Sequence, residues 1–477
     1  MSARYLTTTL PYVNADPHLG HALEFIEADF LARTLRARGE EVFFNIGTDE
    51  HGAKIAEKAE AEGEDPQAYA DTYAARFRAF ADQFDISYDS FIRTTDSGHK
   101  KTAQAFWKRC EAAGDIYKAV YKTKYCTGCE LEKTDSELVD GYCPLHPNTP
   151  IELREEENYY FRFSKYQDAL LKHYADQEDF VVPKERMREL TSFVASGLKD
   201  FSISRRKEKL SWGVPVPDDD EHVMYVWFDA LVNYVSAVGW PEDEKKFKKW
   251  WPVTQFAGKD NLRQQAAMWQ AMLLSAGLPL SQQVFIHGFV TSKGHKMSKS
   301  LGNVINPVAI AEQYGTEALR YVLLRHMSPF EDSDLTLDAI HEHYNAHLTN
   351  GLGNLVARVM KLAEEHMPHP VEITKNDVHI EETFSKKVEA YRFNEAMDII
   401  FAKVAAADAF MTEHAPFKSI KSDDPSEQKT ARHDIEYLVR QLAGIAAHLA
   451  SAMPKTAARI ISAIQENKKP DNLFPRI

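Results

Sequence analysis

Cysteine is scarce: the 477-residue chain has four, and three of them fall between residues 126 and 143. That argues against a disulfide-stapled framework and points to a reducing compartment with local metal chemistry. Long apolar runs are missing as well. No uncharged stretch approaches the roughly 20 residues that cross a bilayer. The amino terminus, "MSARYLTTTLPYVNADPHLGH", has neither the basic start nor the apolar core of a secretory signal. A cytoplasmic protein without membrane association is expected. Positive charge is in deficit, with 57 Lys and Arg against 71 Asp and Glu, a net −14. A body of that sign does not coat nucleic acid through bulk charge, although a local basic track is compatible with it. No G-x-x-x-x-G-K-S/T phosphate loop occurs, so nucleotide chemistry would need another cradle.

What is present reads as a globular chain, 44% hydrophobic and 27% charged, long enough for two to four domains. "RYLTTTL" at 4–10 has strand character, a helix follows with Leu19, Leu23, Ile26 and Phe30 on one face, and "VFFNI" at 42–46 is the next strand. Strand, helix, strand in about 45 residues begins an α/β unit with a parallel sheet. The pattern breaks near residue 116 and resumes near 225, with strands expected in "TQFAGKD" (254–260) and "QVFIHG" (283–288) around an amphipathic helix. After residue 320, three long segments repeat apolar residues at three- and four-residue spacing, as in a helix bundle.

Four polar clusters stand out. In "DPHLGH", Asp16 suits an N-cap and Pro17 the first helical position, which would set His18 and His21 beside free backbone N–H groups. Such a helix start stabilises a phosphate, and Gly20 permits close approach; two ordinary surface histidines are the alternative. In "GTDEHG" at 47–52, Asp49 is either part of an acidic turn or the partner of a substrate ammonium, with Tyr12 nearby. Cys126, Cys129, Cys143 and His146 have the two-plus-two spacing of a closed, structural Cys3His zinc knuckle, against a redox Cys-x-x-Cys. Cys110 is expected in a helix, buried and inert. "GHKMSKSLGN" at 294–303 carries Lys296 and Lys299, either on a loop that closes over an anion or on a solvated hinge.

"HLGH" at 18–21 and "KMSKS" at 296–300, in that order and far apart, resemble the two signatures of class I aminoacyl-tRNA synthetases. "LPYVNADPHLGH", "GTDEHG", "YVWFDALVNY" (225–234), "GKD" (258–260), "FIHGFV" (285–290) and "NLVAR" (354–358) narrow the resemblance to the methionyl-tRNA synthetase family, over essentially the whole chain. The resemblance implies a Rossmann-like catalytic domain (1–115 and 225–320) interrupted by a zinc-containing connective domain (116–224). A stem-contact linker (321–349) and an α-helical anticodon-binding bundle (350–477) would follow. It implies activation of L-methionine by ATP, accompanied by Mg2+, and transfer to tRNA(Met), including the initiator tRNA, by a monomer. By position, His18, Gly20 and His21 would face ATP with Gly258, Asp260 and Lys299, and Lys296 would join His18, His21 and Lys299 in catalysis. Leu10, Tyr12, Asp49, Trp227, Ala230, Tyr234 and His287 would hold methionine. One zinc would sit on Cys126, Cys129, Cys143 and His146, and Asn354, Arg358 and Phe417 would read the anticodon.

Three positions depart from the family pattern. Leu231 stands where proline is usual, Gln265 where a histidine follows the ribose motif, and Phe417 where a tryptophan stacks on the anticodon. Two other functions compete with methionine charging. A synthetase for cysteine would need zinc at the substrate, and one for a branched amino acid a larger insert. A non-catalytic tRNA-binding descendant would be expected to lose the histidine pair or the loop lysines.

Overall fold

The computed structural model describes residues 3–133, 137–296 and 305–477 of the chain. Six short strands form a wholly parallel sheet: β1 (Ala3–Thr7), β2 (Glu41–Thr48), β3 (Ser90–Arg93), β4 (Val181–Val182), β5 (Val253–Gly258) and β6 (Gln283–His287). Their spatial order is β3-β2-β1-β5-β6-β4. The order turns back between β1 and β5, and open parallel sheets keep ligands at the carboxyl ends of the strands beside such a switch. The edge strand β4 comes from the segment between the two sheet halves, so that segment is stitched to the sheet rather than merely inserted in it.

Both sheet faces are buried, which is why the strands read as near-continuous apolar runs. Helix α1 (Leu19–Ala37) covers one face with Leu19, Leu23, Ile26 and Phe30, all at most 2% exposed. On the other face lie α2 (Ser97–Ala112), which buries Cys110, and α3 (Trp269–Ser275). Burial pushes the Cys110 thiol up to about 12, as an inert thiol requires. One π-helical turn, Gln264–Met268, leads into α3, and Gly277 in the left-handed region ends it.

The middle segment adds an antiparallel sheet in which Ile116–Cys126 pairs with Glu152–Phe161. The carboxyl part is helical, with α4 (Thr316–His326), α5 (Leu337–His343), α6 (Asn354–His366), α7 (Phe393–His414) and α8 (Pro425–Leu449). A π-helical stretch, Tyr344–Gly353, joins α5 to α6. The apolar core of α1 runs on into these helices without interruption. Fully buried Arg320 on α4 clamps the junction, with Nη2 donating to Asp29 Oδ2 on α1 at 2.6 Å and Nε to the Ala452 carbonyl at 2.7 Å. No helix among the described residues is long and apolar enough to cross a membrane.

Candidate active site

A cleft of about 640 Å³ opens at the carboxyl edge of the sheet, beside the switch between β1 and β5. The chain brings its scattered motifs here because each follows the end of a strand: Leu10 and Tyr12 after β1, Asp49 after β2, Asp260 after β5, and His287 as the last residue of β6. His18, Gly20, His21, Gly258, Trp227, Ala230 and Tyr234 line the same cleft.

The start of α1 differs from the sequence expectation. Asp16 is not the N-cap; it pairs with Arg76 at 2.7 Å, and Pro17 lies before the helix. His18 takes the capping position itself. Its Nδ1 accepts the Gly20 N–H at 3.1 Å, while the His18 N–H donates to Nδ1 of His21 at 3.2 Å. An imidazole whose Nδ1 accepts keeps its hydrogen on Nε2 when neutral, so the pair presents two fixed Nε2–H donors. Their rings stack at 3.7 Å. Burial, then the neighbouring His18, holds His21 well below the usual histidine value. A Cβ at position 20 would come within 3.0 Å of the His18 ring, so glycine lets that ring fold back over the helix start.

Asp49 is 5% exposed, and its Oδ1 has no hydrogen-bond partner among the described residues. Burial, then the charges of Asp229 and Glu130, hold its carboxyl well above the usual carboxylate value. A buried acceptor left empty is costly, and a cation placed against it would relieve that cost. Backbone pairing with Tyr12 fixes its position. The Tyr12 hydroxyl donates to the His51 carbonyl at 2.6 Å and lies 3.3 Å from Glu130 Oε1. Gly52 makes room for it: a Cβ there would sit 2.0 Å from that hydroxyl, and its φ of 111° suits glycine alone.

His287 lies deeper, with Nε2 2.9 Å from Glu24 Oε2 and Nδ1 2.8 Å from the Gly288 carbonyl. Burial alone would lower its pKa; the Glu24 hydrogen bond and charge, with Glu27 behind, raise it to about 9. Glu24 also accepts from the Thr9 N–H and hydroxyl at 2.7 and 2.6 Å, which ties α1 to the end of β1.

A family model described as tRNA synthetases class I (M) matches residues 4–149 and 134–360. The methionine–tRNA ligase of Thermosynechococcus vestitus is 41% identical over 474 residues, covering 95% of this chain and 88% of its own. That of Thermotoga maritima is 38% identical over 482 residues, covering 98% and 76%. Among solved structures, Mycobacterium tuberculosis methionyl-tRNA synthetase in complex with methionyl-adenylate superposes with a TM-score of 0.91 at 35% identity, covering 100% of this chain and 98% of that one. The free-state form of that enzyme gives 0.84 at 31%. This chain belongs to the methionyl-tRNA synthetase family.

Departures from the family pattern have local physical consequences. Leu231 continues the helical turn of Val226–Ala230, and its N–H reaches the Trp227 carbonyl at 3.3 Å, a bond that proline could not make. Gln265, 2% exposed, lines the cleft but accepts from the Gln255 amide at 2.6 Å, so its oxygen is already engaged. Of the loop residues in this family's second signature, Lys296 pairs through its backbone with Thr291 in a short hairpin; Lys299 lies outside the described residues.

The four predicted metal ligands converge, with their donor atoms within 4.8 Å of one another. Cys129 Sγ is 3.4 Å from Cys143 Sγ and 3.2 Å from His146 Nδ1. Tetrahedral zinc bonds place sulfur and nitrogen ligands roughly 3.5–3.8 Å apart. The donor set therefore fits that ion. Asn354 and Arg358 lie one turn apart on α6; Asn354 is exposed, and Arg358 Nη1 donates to Asp408 Oδ1 on α7 at 2.7 Å. Phe417, 37% exposed, sits on the four-residue helix that follows α7.

Two residues in and beneath the cleft, Glu24 and Asp229, escaped sequence reasoning. Glu24 follows His21 by three residues and precedes buried Glu27 by three, and that spacing of polar residues on one face of α1 could have exposed it. Asp229 could not be found so. It is fully buried and binds His51 Nδ1 at 2.5 Å and His99 Nε2 at 2.7 Å, two histidines distant in sequence. Burial opposes its ionisation, yet the two histidines bring its carboxyl down to about 2.

Proposed function

We propose that the chain activates L-methionine with ATP and transfers the methionyl group to the 3′ end of tRNA(Met). The reading rests on one observation above others: a buried carboxyl oxygen on Asp49, without a hydrogen-bond partner among the described residues, shares a cleft with two stacked histidines at a helix start, each accepting a backbone N–H at Nδ1. Asp49 holds the methionine ammonium. Leu10, Trp227, Ala230 and Tyr234 enclose the side chain with Tyr12 and His287, and a thioether packs well against such rings. The methionine carboxylate then attacks the α-phosphorus, a carboxyl O–P bond forms, and diphosphate leaves.

His18 and His21 follow the phosphoryl oxygens as charge shifts towards the leaving diphosphate, and donors already aimed there favour the transition state. Lys296 and Lys299 add positive charge from the loop. Gly258 and Asp260 face the ribose, and Mg2+ would accompany ATP as its counter-ion. In the second step a ribose hydroxyl of tRNA attacks the methionyl carbonyl and AMP departs. Cys126, Cys129, Cys143 and His146 would hold zinc with four protein donors, which would brace the connective domain at 116–224. Residues 1–115 and 225–320 supply the catalytic domain, 321–349 the link, and Asn354, Arg358 and Phe417 in 350–477 the anticodon contacts. A cytoplasmic monomer that also serves initiator tRNA completes the reading.

Amino-acid-dependent ATP–pyrophosphate exchange tests it. Methionine should drive exchange, cysteine and isoleucine should not, and tRNA(Met) transcripts should then be charged. Exchange with a different amino acid, or none at all, overturns the assignment.

A further inference from the structure

A second cluster of metal-capable side chains lies far in sequence from the cysteines, where the catalytic half meets the helical end. His326 is the last residue of α4, and His343 and His347 are four residues apart across the end of α5 and the start of the π-helical stretch. Each offers a ring nitrogen, and these nitrogens lie within 4.8 Å of one another. The rings are nearly parallel: His326 and His343 stack at 3.6 Å, and His347 is 5.5 Å from His326. All three are half-buried.

Two histidines four residues apart on one helix form a familiar metal-chelating pair, and a third from a neighbouring helix completes a three-nitrogen set. An outer partner is already in place. The Tyr321 oxygen lies 2.9 Å from His326 Nε2 and 2.7 Å from His347 Nδ1, so one nitrogen of each ring is engaged and the other is the candidate ligand atom. Ligating imidazoles usually have such a partner on the nitrogen that faces away from the ion. Arg325 brings a positive charge close by, donating to Tyr321 at 3.0 Å, but its Nε is bound to Asp398 at 2.9 Å. Burial, then His343, Arg325 and His347, depress His326 to about 3, and burial lowers the other two, so the rings are neutral near pH 7.

We propose that His326, His343 and His347 form a binding site for a divalent transition metal of the zinc class, with at least one position open to water. Imidazole nitrogens on zinc lie roughly 3.3 Å apart. Binding therefore pulls His343 out of its stack on His326. The ion would join α4, which Arg320 ties to the catalytic core, to the π-helical stretch that leads straight into α6. Because α6 carries Asn354 and Arg358, the site sits on the covalent path from the cleft to the surface assigned to the anticodon.

The test uses full-length protein without a polyhistidine tag, dialysed to equilibrium against micromolar zinc and measured by elemental analysis. Wild type should hold two zinc ions per chain and His343→Gln one, retained by the cysteine cluster. His347→Asn, a second mild change, should weaken the additional ion at least tenfold. Cobalt separates the two sites: thiolates give an intense near-ultraviolet charge-transfer band, whereas a three-imidazole site adds only weak visible bands, which His343→Gln should abolish. One zinc in wild type, or two in wild type and both variants alike, overturns the proposal.

Discussion

Asp49, Glu24 and His287 in the cleft are 5%, 7% and 5% exposed and held by backbone or by one another, whereas Phe417 at the helical end is 37% exposed and Asn354 faces solvent. The cleft is built before any ligand arrives: its histidines are held through Nδ1 or by Glu24, and the unpartnered Asp49 oxygen is buried. At the helical end Phe417 and Asn354 are open to water, and Arg358 is held by Asp408. Small changes in the cleft should therefore cost far more than equally drastic changes at the surface, because a buried polar group stranded without its partner has no water to fall back on.

Asp49→Ala gives the largest contrast. It should lower the kcat/KM for methionine in pyrophosphate exchange roughly a thousandfold, about 4 kcal/mol, as expected for a buried charge pair that loses one member. Thermal stability should hold or rise, since the change removes an unsatisfied buried carboxyl. A drop of less than tenfold would mean that the methionine ammonium is held elsewhere.

His21→Ala should slow methionyl-adenylate formation about a hundredfold, near 3 kcal/mol, with methionine affinity almost unchanged. Rapid-quench measurement of the adenylation step separates the two effects, and a rate within threefold of wild type would reassign the phosphate contact.

The His287–Glu24 pair sharpens the comparison through pH. With its pKa raised from about 6.5 to about 9, the folded state takes up the proton more tightly than the unfolded chain. The stabilisation is complete below about pH 6.5 and is lost as pH rises through about 9. Thermal unfolding followed from pH 6 to 9.5 should show a steeper loss for wild type than for His287→Gln. Equal slopes would show that the ring is not charged in the fold.

Legibility in the sequence followed the same divide. Strands β1, β2, β5 and β6 were readable because both sheet faces are buried, and the His18–His21 and Asp49 clusters because each follows a strand, whereas the rest of the cleft lining came from the family resemblance. The capping role of His18 was hidden, since Asp and Pro just before a helix ordinarily mark its start. The buried His51–Asp229–His99 set and edge strand β4 depend on contacts between distant segments, which local pattern does not encode. The joint histidines were invisible for the same reason: His343 and His347 share a helical spacing, but nothing local announces His326. At the helical end, periodicity revealed the helices, whereas Asn354, Arg358 and Phe417 came only from the family resemblance.

Those three residues carry the smallest expected effect. A base stacked on an aromatic ring is typically worth about 1–3 kcal/mol. Phe417 is already exposed, so truncating it strands nothing in the free protein, and a phenyl ring has less area than the indole usual in the family. Phe417→Ala should therefore raise the Michaelis constant for tRNA several-fold and leave pyrophosphate exchange unchanged. Arg358 differs because it brings a rigid fork of donors, now turned towards Asp408. Arg358→Ala should raise the same constant and also flatten the preference for a CAU anticodon, whereas Asp408→Ala, which frees the fork, should not. Aminoacylation kinetics on wild-type and anticodon-swapped transcripts decide between the roles. If Arg358→Ala and Phe417→Ala both discriminate CAU as sharply as wild type, anticodon reading lies on another surface, and the helical end serves only to support the cleft.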